Sequence, residues 1–472
     1  MIPVPPALEK ILSETTELKQ AYLVGGCVRD ALLGNPCKDF DIEVFGLSYE
    51  QLVKALSRWG KTDLVGRSFG VVKLTVGDGH AFDFTIPRRD SKIAPGHKGF
   101  QVEFDSALTP KDAASRRDFT LNSLMYDPRA NELLDLFNGV SDLRNKILRH
   151  TSAAFTEDPL RVLRGMQFAS RFDLKPAPET IELCRKIKSS FSELAAERIR
   201  EEWFKWAEKS TTPSRGLKFL VETGWIEHFP EIKALIDVPQ EPDWHPEGDV
   251  FIHTCHCCDA LVKLPEWKNA DTESRIVYSL AILAHDFGKP TTTHRALKDG
   301  VERIVSPGHE SAGVPLAESF LERINLPLAV RARVIPLVAN HLAHFQTVTD
   351  RALRRLAKRL EPENIHGLCV VMTADSMGRP PRPAVVPENV KTLLARAHEL
   401  EIQSSPPKPI LLGRHLIDLG MSPGKEMGRV LHAAFEAQLE GSFFDVPQAL
   451  RLLDEQKEIE LSAEVREKLR HT

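Results

Sequence analysis

The stretch AYLVGGCVRDALLGNPCKDFDIEVF, residues 21–45, constrains the fold more than any other part of the sequence. It begins with an apolar run typical of a strand end, continues through Gly25-Gly26 and enters a helix that carries Arg29. Because glycine has no Cβ, a ligand can approach the backbone closely at this step. The free N–H groups of the helix favour phosphate oxygens, and a guanidinium suits the same group. The pattern predicts a phosphate-binding turn between a strand and a helix.

Two carboxylates follow, at the start of a second predicted strand over residues 40–45. Asp39 and Asp41 are two residues apart, so strand alternation places both side chains on one face and Phe40 on the other. Such carboxylates bind Mg²⁺ together with substrate phosphates. A lone Asp-x-Asp is more often a pair of surface acids. A phosphate-binding turn beside it, however, is what two-metal nucleotidyl transfer requires.

A third carboxylate comes from strands predicted further along the chain. Residues 66–76 and 82–86 alternate apolar and polar side chains, and the turn at 77–79 joins them as a hairpin. Asp83 therefore either lies beside the first two carboxylates or faces solvent as a surface acid. The segment SKIAPGHKG, residues 91–99, is predicted to be a mobile loop next to the site.

Arginines accompany the helices predicted after this region. Residues 113–127 form a predicted helix-rich segment whose polar side includes Arg117. Further on, Asp158 precedes a helix in which Arg161 and Arg164 are three residues apart and share a face. These arginines either line a site or form a charged face towards solvent.

Histidines and aspartates recur at predicted helix ends in the second half of the chain. They are His253, His285, Asp286, His309, His341 and Asp375. A single helical histidine is usually structural, but imidazoles and carboxylates on facing helices suit a transition metal poised for hydrolysis. The compact run at 255–258, CHCC, is too short to surround one tetrahedral zinc ion by itself.

Composition excludes several classes of protein. The chain has 472 residues, a length that indicates about three domains, and its 42% apolar and 27% charged residues are typical of a globular protein. No run is long enough to cross a bilayer, so we expect a cytoplasmic protein without a membrane partner. The N-terminus lacks the pattern of a secretory signal. Seven irregularly spaced cysteines argue against a disulfide framework. The net charge of -4 leaves nucleic-acid binding open, because binding needs only a local basic face.

Together these motifs resemble the class II tRNA nucleotidyltransferase and poly(A) polymerase family of bacterial type, with a C-terminal HD domain. The resemblance covers residues 22–441 and is carried by LVGGCVRDALLG, KDFDIEVFG, RRDFTLNSL, DLFNGVSDLRNKILR and EDPLRVLRGMQFASRF. It implies an α+β fold in four parts. These are a mixed α/β head with a β-sheet over 1–150, an all-α neck over 151–245, a helical HD domain over 246–380 and an RNA-binding helical tail over 381–472.

The resemblance also implies roles for individual residues. Asp39 and Asp41 would bind Mg²⁺, and Asp83, which is a candidate only because of its predicted strand position, would be a third catalytic carboxylate. A larger set of residues would contact the incoming nucleotide: Gly25, Gly26, Arg29, Arg117, Asp158, Arg161 and Arg164. Within that set, Asp158 and Arg161 would recognise the base edge of CTP or ATP. In the HD domain, four residues match the metal-ligand pattern, namely His253, His285, Asp286 and Asp375, and two match additional positions, His309 and His341.

The implied activities are addition of C and A to tRNA 3′ ends from CTP and ATP, and phosphatase or 2′,3′-cyclic phosphodiesterase action at an HD site that holds Ni, Co, Mn or Zn. The segment GRSF at 66–69 differs from the pattern usual in poly(A) polymerases, which favours the tRNA enzyme. Poly(A) polymerase and CC- or A-adding activities remain alternatives, and a phosphohydrolase with an RNA-binding head is an alternative of another class. The expected assembly is a monomer or a homodimer.

Overall fold

The computed structural model describes residues 2–37, 39–63, 70–77, 79–92, 100–105, 107–345 and 348–455. The chain divides into two compact units, Met1–Lys233 and Ala234–Thr472. Two sequence-based predictions, the GRSF motif at 66–69 and most of the loop at 91–99, lie outside the described residues.

The first unit contains a seven-stranded mixed sheet and two small strand pairs. Its strands are β1 (Ala21–Val24), β2 (Asp41–Val44), β3 (Gly60–Asp63), β4 (Val71–Val76), β5 (Ala81–Thr85), β6 (Arg88–Lys92), β7 (Phe100–Phe104), β8 (Met125–Asp127), β9 (Glu132–Leu134), β10 (Ile147–Leu148) and β11 (Lys175–Pro176). The order in the large sheet is β3-β4-β5-β2-β1-β8-β9. Strand β2 is parallel to β5 and antiparallel to β1, so the two acidic strands are neighbours near the middle of the sheet.

Helices cover this sheet and continue beyond it. They are α1 (Pro6–Glu14), α2 (Gly26–Leu32), α3 (Tyr49–Leu56), α4 (Pro110–Ser115), α5 (Gly139–Arg144), α6 (Leu160–Phe172), α7 (Pro178–Lys186), α8 (Ala196–Lys209), α9 (Pro213–Glu222) and α10 (Pro230–Lys233). Helix α3 begins at a capping box between Ser48 and Gln51. Helices α6, α8 and α9 pack around fully buried aromatic side chains that include Trp203, Trp206 and Phe219.

The second unit is helical apart from one hairpin. Its elements are α11 (Val250–Leu261), α12 (Pro265–Asn269), α13 (Thr272–Ala284), α14 (Lys289–Thr292), β12 (His294–Lys298), β13 (Val301–Val305), α15 (His309–Arg323), α16 (Leu328–Asn340), α17 (Asp350–Leu360), α18 (Ile365–Met377), α19 (Glu388–Glu399), α20 (Gly413–Asp418), α21 (Lys425–Glu440) and α22 (Val446–Glu455). Helices α13 and α18 are apolar nearly all round, and almost all their residues are buried, which is typical of central helices. Within the described ranges, no helix is both long and apolar enough to cross a bilayer.

The predicted α+β organisation is confirmed, with two local differences. The helix-rich segment predicted at 113–127 ends in strand β8, where Met125 pairs with Val24 of β1, because sheet pairing overrides a helical apolar spacing. The hairpin of β12 and β13 interrupts a region that the sequence indicated to be helical.

Candidate active site and metal centre

A cavity of about 570 Å³ in the first unit collects most of the predicted nucleotide-binding residues. Its lining includes Gly25, Gly26, Arg29, Asp41, Arg117, Asp158, Arg161 and Arg164. Asp83 lies on β5 and is paired in register with Asp41. Asp39 lies at the exposed bend that precedes β2. The fold therefore brings segments 25–41, 117 and 158–164 to one place, although the first and the last are more than a hundred residues apart in the chain.

The turn after β1 has the geometry that its glycines predict. Gly25 has φ +70°, a conformation that favours glycine, and α2 begins at the next residue. A Cβ on Gly25 would lie 2.9 Å from Nη1 of Arg117. The absence of a side chain here therefore lets a guanidinium reach the backbone of the turn.

Carboxylates crowd one face of the sheet beside this turn. Neighbours in register on parallel strands point to the same face, so Asp41 and Asp83 lie side by side. The pKa of the Asp41 carboxyl is raised, first by its partial burial in the cavity and then by the negative charges of Asp83 and Asp39, whereas Arg117 opposes the shift. Carboxylates that repel one another in this way fit a divalent cation, because bound positive charge removes the repulsion.

Arg29 is held rigidly although it is charged. The residue is only 4% exposed. Its Nη1 donates to Oδ1 of Asn122 at 2.6 Å, and its Nε donates to Asp30 at 2.8 Å. The guanidinium also lies 5.4 Å from the ring centroid of Phe168 and 4.7 Å from that of Phe172. The positive charge therefore has a fixed place at the wall of the cavity.

Asp118 and Asn122 connect Arg29 with Arg164, and the sequence did not assign either of them to the site. Asp118 accepts from Nδ2 of Asn122 at 2.9 Å and from Nε of Arg164 at 2.7 Å. Burial alone would raise the pKa of Asp118, but Arg164 and these hydrogen bonds hold it below its usual range. The result is a continuous network from Arg29 through Asn122 and Asp118 to Arg164.

Glu43 is a further acid in the cavity. It pairs with Arg117 at 2.9 Å between Oε2 and Nη2. Glu43 follows Asp41 by two residues on β2, so strand alternation, already used for the acidic pair, places it on the same face. Extending that pattern by one step would have identified it from the sequence.

Asp158 and Arg161 lie in the cavity, but both are bound to groups of the chain itself. Asp158 accepts from Arg198 at 2.7 and 3.3 Å. Arg161 donates to the carbonyl oxygens of Ala154 at 2.6 Å and Arg116 at 2.7 Å. Arg198, on α8, has no sequence signal that connects it with the motif 40 residues upstream.

Three groups of potential metal ligands lie in the described part of the second unit: one comprises His245, Glu247 and His253, and the other two contain the residues predicted for the HD site. Of these two, the first comprises His253, Cys257, His285 and Asp375, and the second comprises Asp286, His309 and His341. Within each group the ligand atoms lie within 4.8 Å of one another. All six residues predicted for the HD site are therefore brought together. Cys257 is an addition that the sequence reasoning missed.

The four imidazoles are oriented by bonds on their outer nitrogens. The Nδ1 acceptors are Glu247 Oε1 for His253 at 2.7 Å, Ile282 O for His285 at 2.7 Å, Ser306 O for His309 at 2.7 Å and Val338 O for His341 at 2.8 Å. Carbonyl and carboxylate oxygens accept, so each Nδ1 carries a proton, and Nε2 holds the lone pair whenever the ring is neutral. Metal-binding histidines are oriented in this way.

The Nε2 atoms of these histidines lie close together, and neutral rings protonated on Nδ1 leave no proton on Nε2 to form hydrogen bonds between them. Those of His309 and His341 are 3.1 Å apart. Nε2 of His285 is buried and has no hydrogen-bond partner among the described residues. The pKa of His341 is lowered to about 3, mainly by burial, so that ring stays neutral. Bare lone pairs that face one another in a buried cluster fit a cation between them.

Asp286 lies between the two groups. Its Oδ1 is 3.2 Å from Nε2 of His309, and its Oδ2 is 3.2 Å from Nε2 of His285 and 3.7 Å from that of His253. Although burial opposes ionisation, the neighbouring His285 ring and the Lys289 ammonium hold the pKa of Asp286 well below its usual range. An ionised carboxylate in this position can contribute one oxygen to each group.

A cavity of about 820 Å³ opens on the second group. Its lining includes Asp286, His309 and His341, together with the cationic side chains of Lys289, Arg379 and Arg382. Arg379 also donates to Oδ1 of Asp375 at 2.8 Å. Positive charge around a ligand cluster suits an anionic substrate such as a phosphoester.

Three segments match known family models. Residues 21–149 match "Poly A polymerase head domain", residues 173–236 match "Probable RNA and SrmB- binding site of polymerase A", and residues 250–379 match "HD domain".

Whole-chain comparisons point in the same direction. A protein of Xanthomonas campestris pv. campestris named multifunctional CCA protein is 34% identical over 372 residues, which cover 76% of this chain and 85% of that protein. A CCA-adding enzyme of Thermotoga maritima complexed with tRNA has the same fold, with a TM-score of 0.58 and 19% identity over 95% of both chains. A Bacillus stearothermophilus CCA-adding enzyme in complex with CTP has a TM-score of 0.61 and 20% identity, covering 96% of this chain and 99% of the other.

Proposed function

Because this chain belongs to the family of the multifunctional CCA proteins, we propose that it is a template-independent nucleotidyltransferase that adds C and A residues to tRNA 3′ ends from CTP and ATP. The observation that carries the proposal is the cavity in which Gly25, Arg29, Arg117 and Asp41 meet. A glycine turn, two guanidiniums and a crowded set of carboxylates are what transfer of a nucleotide from a triphosphate requires.

The proposed roles in the head follow from these contacts. Arg117, placed against the backbone of Gly25, and Arg29 bind the triphosphate and neutralise its charge. Asp39, Asp41 and Asp83 are the ligands proposed for Mg²⁺, which when bound would stabilise the charge that develops on the phosphoryl oxygens. Asp41 pairs in register with Asp83 and lines the same cavity as Arg117, so the acids lie beside the groups proposed to bind the triphosphate.

Base selection is proposed for Asp158 and Arg161. Cytosine and adenine both present an amino group, which a carboxylate can accept, next to a ring nitrogen, which a guanidinium can donate to. Asp158 now accepts from Arg198, so a base would exchange with that guanidinium. Uracil, which presents a carbonyl oxygen in place of the amino group, cannot make the same exchange.

The assay uses purified full-length protein with tRNA transcripts that end before CCA, before CA and before A. We expect all three to be completed to CCA and no further. Completion that stops after CC, or starts only from CC, would indicate one of the partial enzymes. Long tails made from ATP alone on any RNA would indicate a poly(A) polymerase and reject the proposal.

We also propose that the second unit is a metal-dependent phosphohydrolase that acts on phosphate groups at RNA ends, such as 2′,3′-cyclic phosphates. The facing Nε2 atoms of His309 and His341 and the cationic cavity above them favour this second activity. Imidazole ligands favour Ni, Co, Mn or Zn over Mg. Residues 381–455 are proposed to contribute to tRNA binding, and action on tRNA implies a cytoplasmic protein.

The second activity is tested by hydrolysis of 2′,3′-cyclic AMP after removal of metal and reconstitution with each of the four ions. Activity restored by at least one of them is the expected result. A protein that binds none of these ions and hydrolyses no cyclic phosphate would leave the nucleotidyltransferase as the only activity.

A further inference from the structure

Trp244 is a large aromatic side chain that remains 42% exposed in the second unit. It lines the cavity of about 820 Å³ that also contains Asp286, His309 and His341 in its walls. Burial of such a ring in a core would contribute to stability. Its position in a cavity instead leaves that apolar surface available to a ligand.

The turn that carries Trp244 is held in place. The backbone N–H groups of Trp244 and His245 both donate to the carbonyl of Glu241, at 3.0 and 2.8 Å. The side chain of Glu241 accepts from Nη1 of Arg303 at 3.0 Å and from the backbone N–H of Ile304 at 2.9 Å, which ties the turn to β13. The ring is therefore exposed although the chain that carries it is fixed.

Two cations lie against the ring of Trp244. The guanidinium carbon of Arg303 is 5.3 Å from the ring centroid, and Nζ of Lys298 is 5.9 Å from it. Arg303 is kept there by Asp243, which accepts from its Nη1 at 2.7 Å, and Lys298 also lines the cavity. An aromatic ring with positive charge beside it suits a ligand that joins a flat ring to an anion.

The hairpin of β12 and β13 connects this ring with His309, one of the potential metal ligands. Strand β13 ends at Val305, four residues before His309. Arg303, which lies against Trp244, precedes that end by two residues, about 7 Å at about 3.4 Å per residue of strand. The ring therefore lies beside the outer part of the hairpin, whereas His309 adjoins its base. A nucleotide has a matching layout, because a sugar separates its base from its phosphate.

We infer that Trp244 is a stacking platform for a nucleobase, in a nucleotide subsite whose phosphate end is the group Asp286, His309 and His341. This inference deepens the proposed phosphohydrolase function and rests on it. It defines the substrate class as nucleotides and RNA ends, as opposed to phosphoesters that carry no base. Positive side chains in the same cavity attract the phosphate. Every base has a π face, so the platform should accept all four bases.

The first measurement compares two substrates of the metal-loaded, full-length protein. One is 2′,3′-cyclic AMP, and the other is a ribose 2′,3′-cyclic phosphate with a methoxy group in place of the base. Trp244→Ala should raise the KM for 2′,3′-cyclic AMP about tenfold with little change in kcat, because loss of one base–aromatic stack weakens binding by about 5- to 150-fold. The preference for 2′,3′-cyclic AMP over the compound without a base should fall by the same factor.

A conservative variant separates stacking from a general structural effect. Trp244→Phe retains a ring and should restore part of the affinity that Trp244→Ala loses. Because Trp244 is exposed, neither substitution removes a core side chain.

The second measurement does not require hydrolysis. Titration with 3′-AMP should quench the tryptophan fluorescence of the wild type, and Trp244→Phe should lose this quenching. A nucleotide in the cavity of the first unit would not interfere, since the described residues that line it include no tryptophan. Trp267→Phe is the control and should keep the quenching, because Trp267 is buried on α12 with its Nε1 donating to Ser279 at 3.1 Å.

A wild type that hydrolyses both compounds equally well, or a Trp244→Ala variant with an unchanged KM, would overturn the inference and leave the phosphohydrolase in place. Hydrolysis of neither compound would reject the phosphohydrolase, and quenching that depends on Trp244 would then still support a nucleotide subsite. Absence of quenching in the wild type, or quenching that persists in Trp244→Phe, would overturn the inference whatever the result for hydrolysis.

Discussion

The two candidate sites hold their functional groups in different ways. In the first unit, Asp39 is exposed and Asp41 lines an open cavity, and the arginines of that cavity are bonded to acids and carbonyls of the chain. In the second unit, every imidazole of the cluster is buried and has its outer nitrogen fixed. The first arrangement suits a metal and a nucleotide that enter and leave together in each cycle. The second suits an ion that stays, because its ligands are already oriented.

Removing one acid from the first site is expected to have the largest effect, and it tests whether the two sites act independently. Asp41→Ala should lower nucleotide addition on the order of 10³-fold or more, because loss of metal-assisted charge stabilisation costs several kcal/mol at about 1.4 kcal/mol per tenfold. Hydrolysis of 2′,3′-cyclic AMP should stay unchanged. Glu132→Ala, which removes an exposed acid of β9 outside the cavity, is the control. Normal addition of C and A by Asp41→Ala would refute the assigned catalytic centre.

The reciprocal change removes two ligands from the second site. His285→Ala combined with Asp286→Ala should lower metal-dependent hydrolysis by about 10²- to 10³-fold, since the variant loses a nitrogen ligand and the carboxylate between the two groups. CCA addition should be nearly intact. Metal content is measured beside both activities, because a double variant that retains metal and full hydrolysis would contradict the ligand assignment. Joint loss of both activities, with a cooperative thermal transition preserved, would show that the sites depend on each other.

A smaller change tests whether orientation of the ligands matters. Glu247 accepts from Nδ1 of His253 at 2.7 Å and from Nδ1 of His245 at 2.9 Å. Glu247→Gln retains an acceptor and removes the charge, so metal affinity should fall by about tenfold, at the lower end of the range for outer-shell contacts. Titration of the metal-free protein with zinc measures the effect. Glu302→Gln on the exposed hairpin should bind as the wild type does.

The smallest expected effect concerns discrimination between bases. Arg161→Ala should lower use of CTP and ATP by about tenfold and reduce the preference for CTP over UTP, because a good bidentate pair with a base edge contributes about 1–3 kcal/mol and one of its hydrogen bonds would be lost. Arg29→Ala should weaken all nucleotides alike, since it contacts the triphosphate in the proposed mode. An unchanged preference for CTP over UTP in Arg161→Ala would indicate that this guanidinium serves only the carbonyls of Ala154 and Arg116.

The family and the α+β fold could be predicted from the sequence because short contiguous motifs carry them. The Gly-Gly turn, the acidic strand and the adjacent His285-Asp286 pair each lie within a few residues and follow local rules of conformation. The α2 helix that follows β1 carries Arg29, as the phosphate-turn pattern indicated, although it begins at Gly26, two residues earlier than predicted. The roles assigned to individual residues and the boundaries of the four predicted parts stay predictions.

The partners of the site residues could not be predicted, because they come from distant segments. Arg29 and Asn122 are separated by 93 positions, and Cys257 and Asp375 by 118. No periodicity connects such pairs. Strand β8 could not be predicted from the sequence for a related reason. Its pairing with β1 is a tertiary contact, and it outweighs the local apolar spacing that indicated a helix.

The stacking of Arg29 on α6 has a consequence for accuracy. The helix that carries Arg161 also carries Phe168 and Phe172, and both rings lie against the guanidinium proposed to bind the triphosphate. In the proposed mode, the base and the triphosphate of one nucleotide would therefore both contact side chains that α6 positions. Selection of the base and alignment of the leaving group would then depend on the same helix.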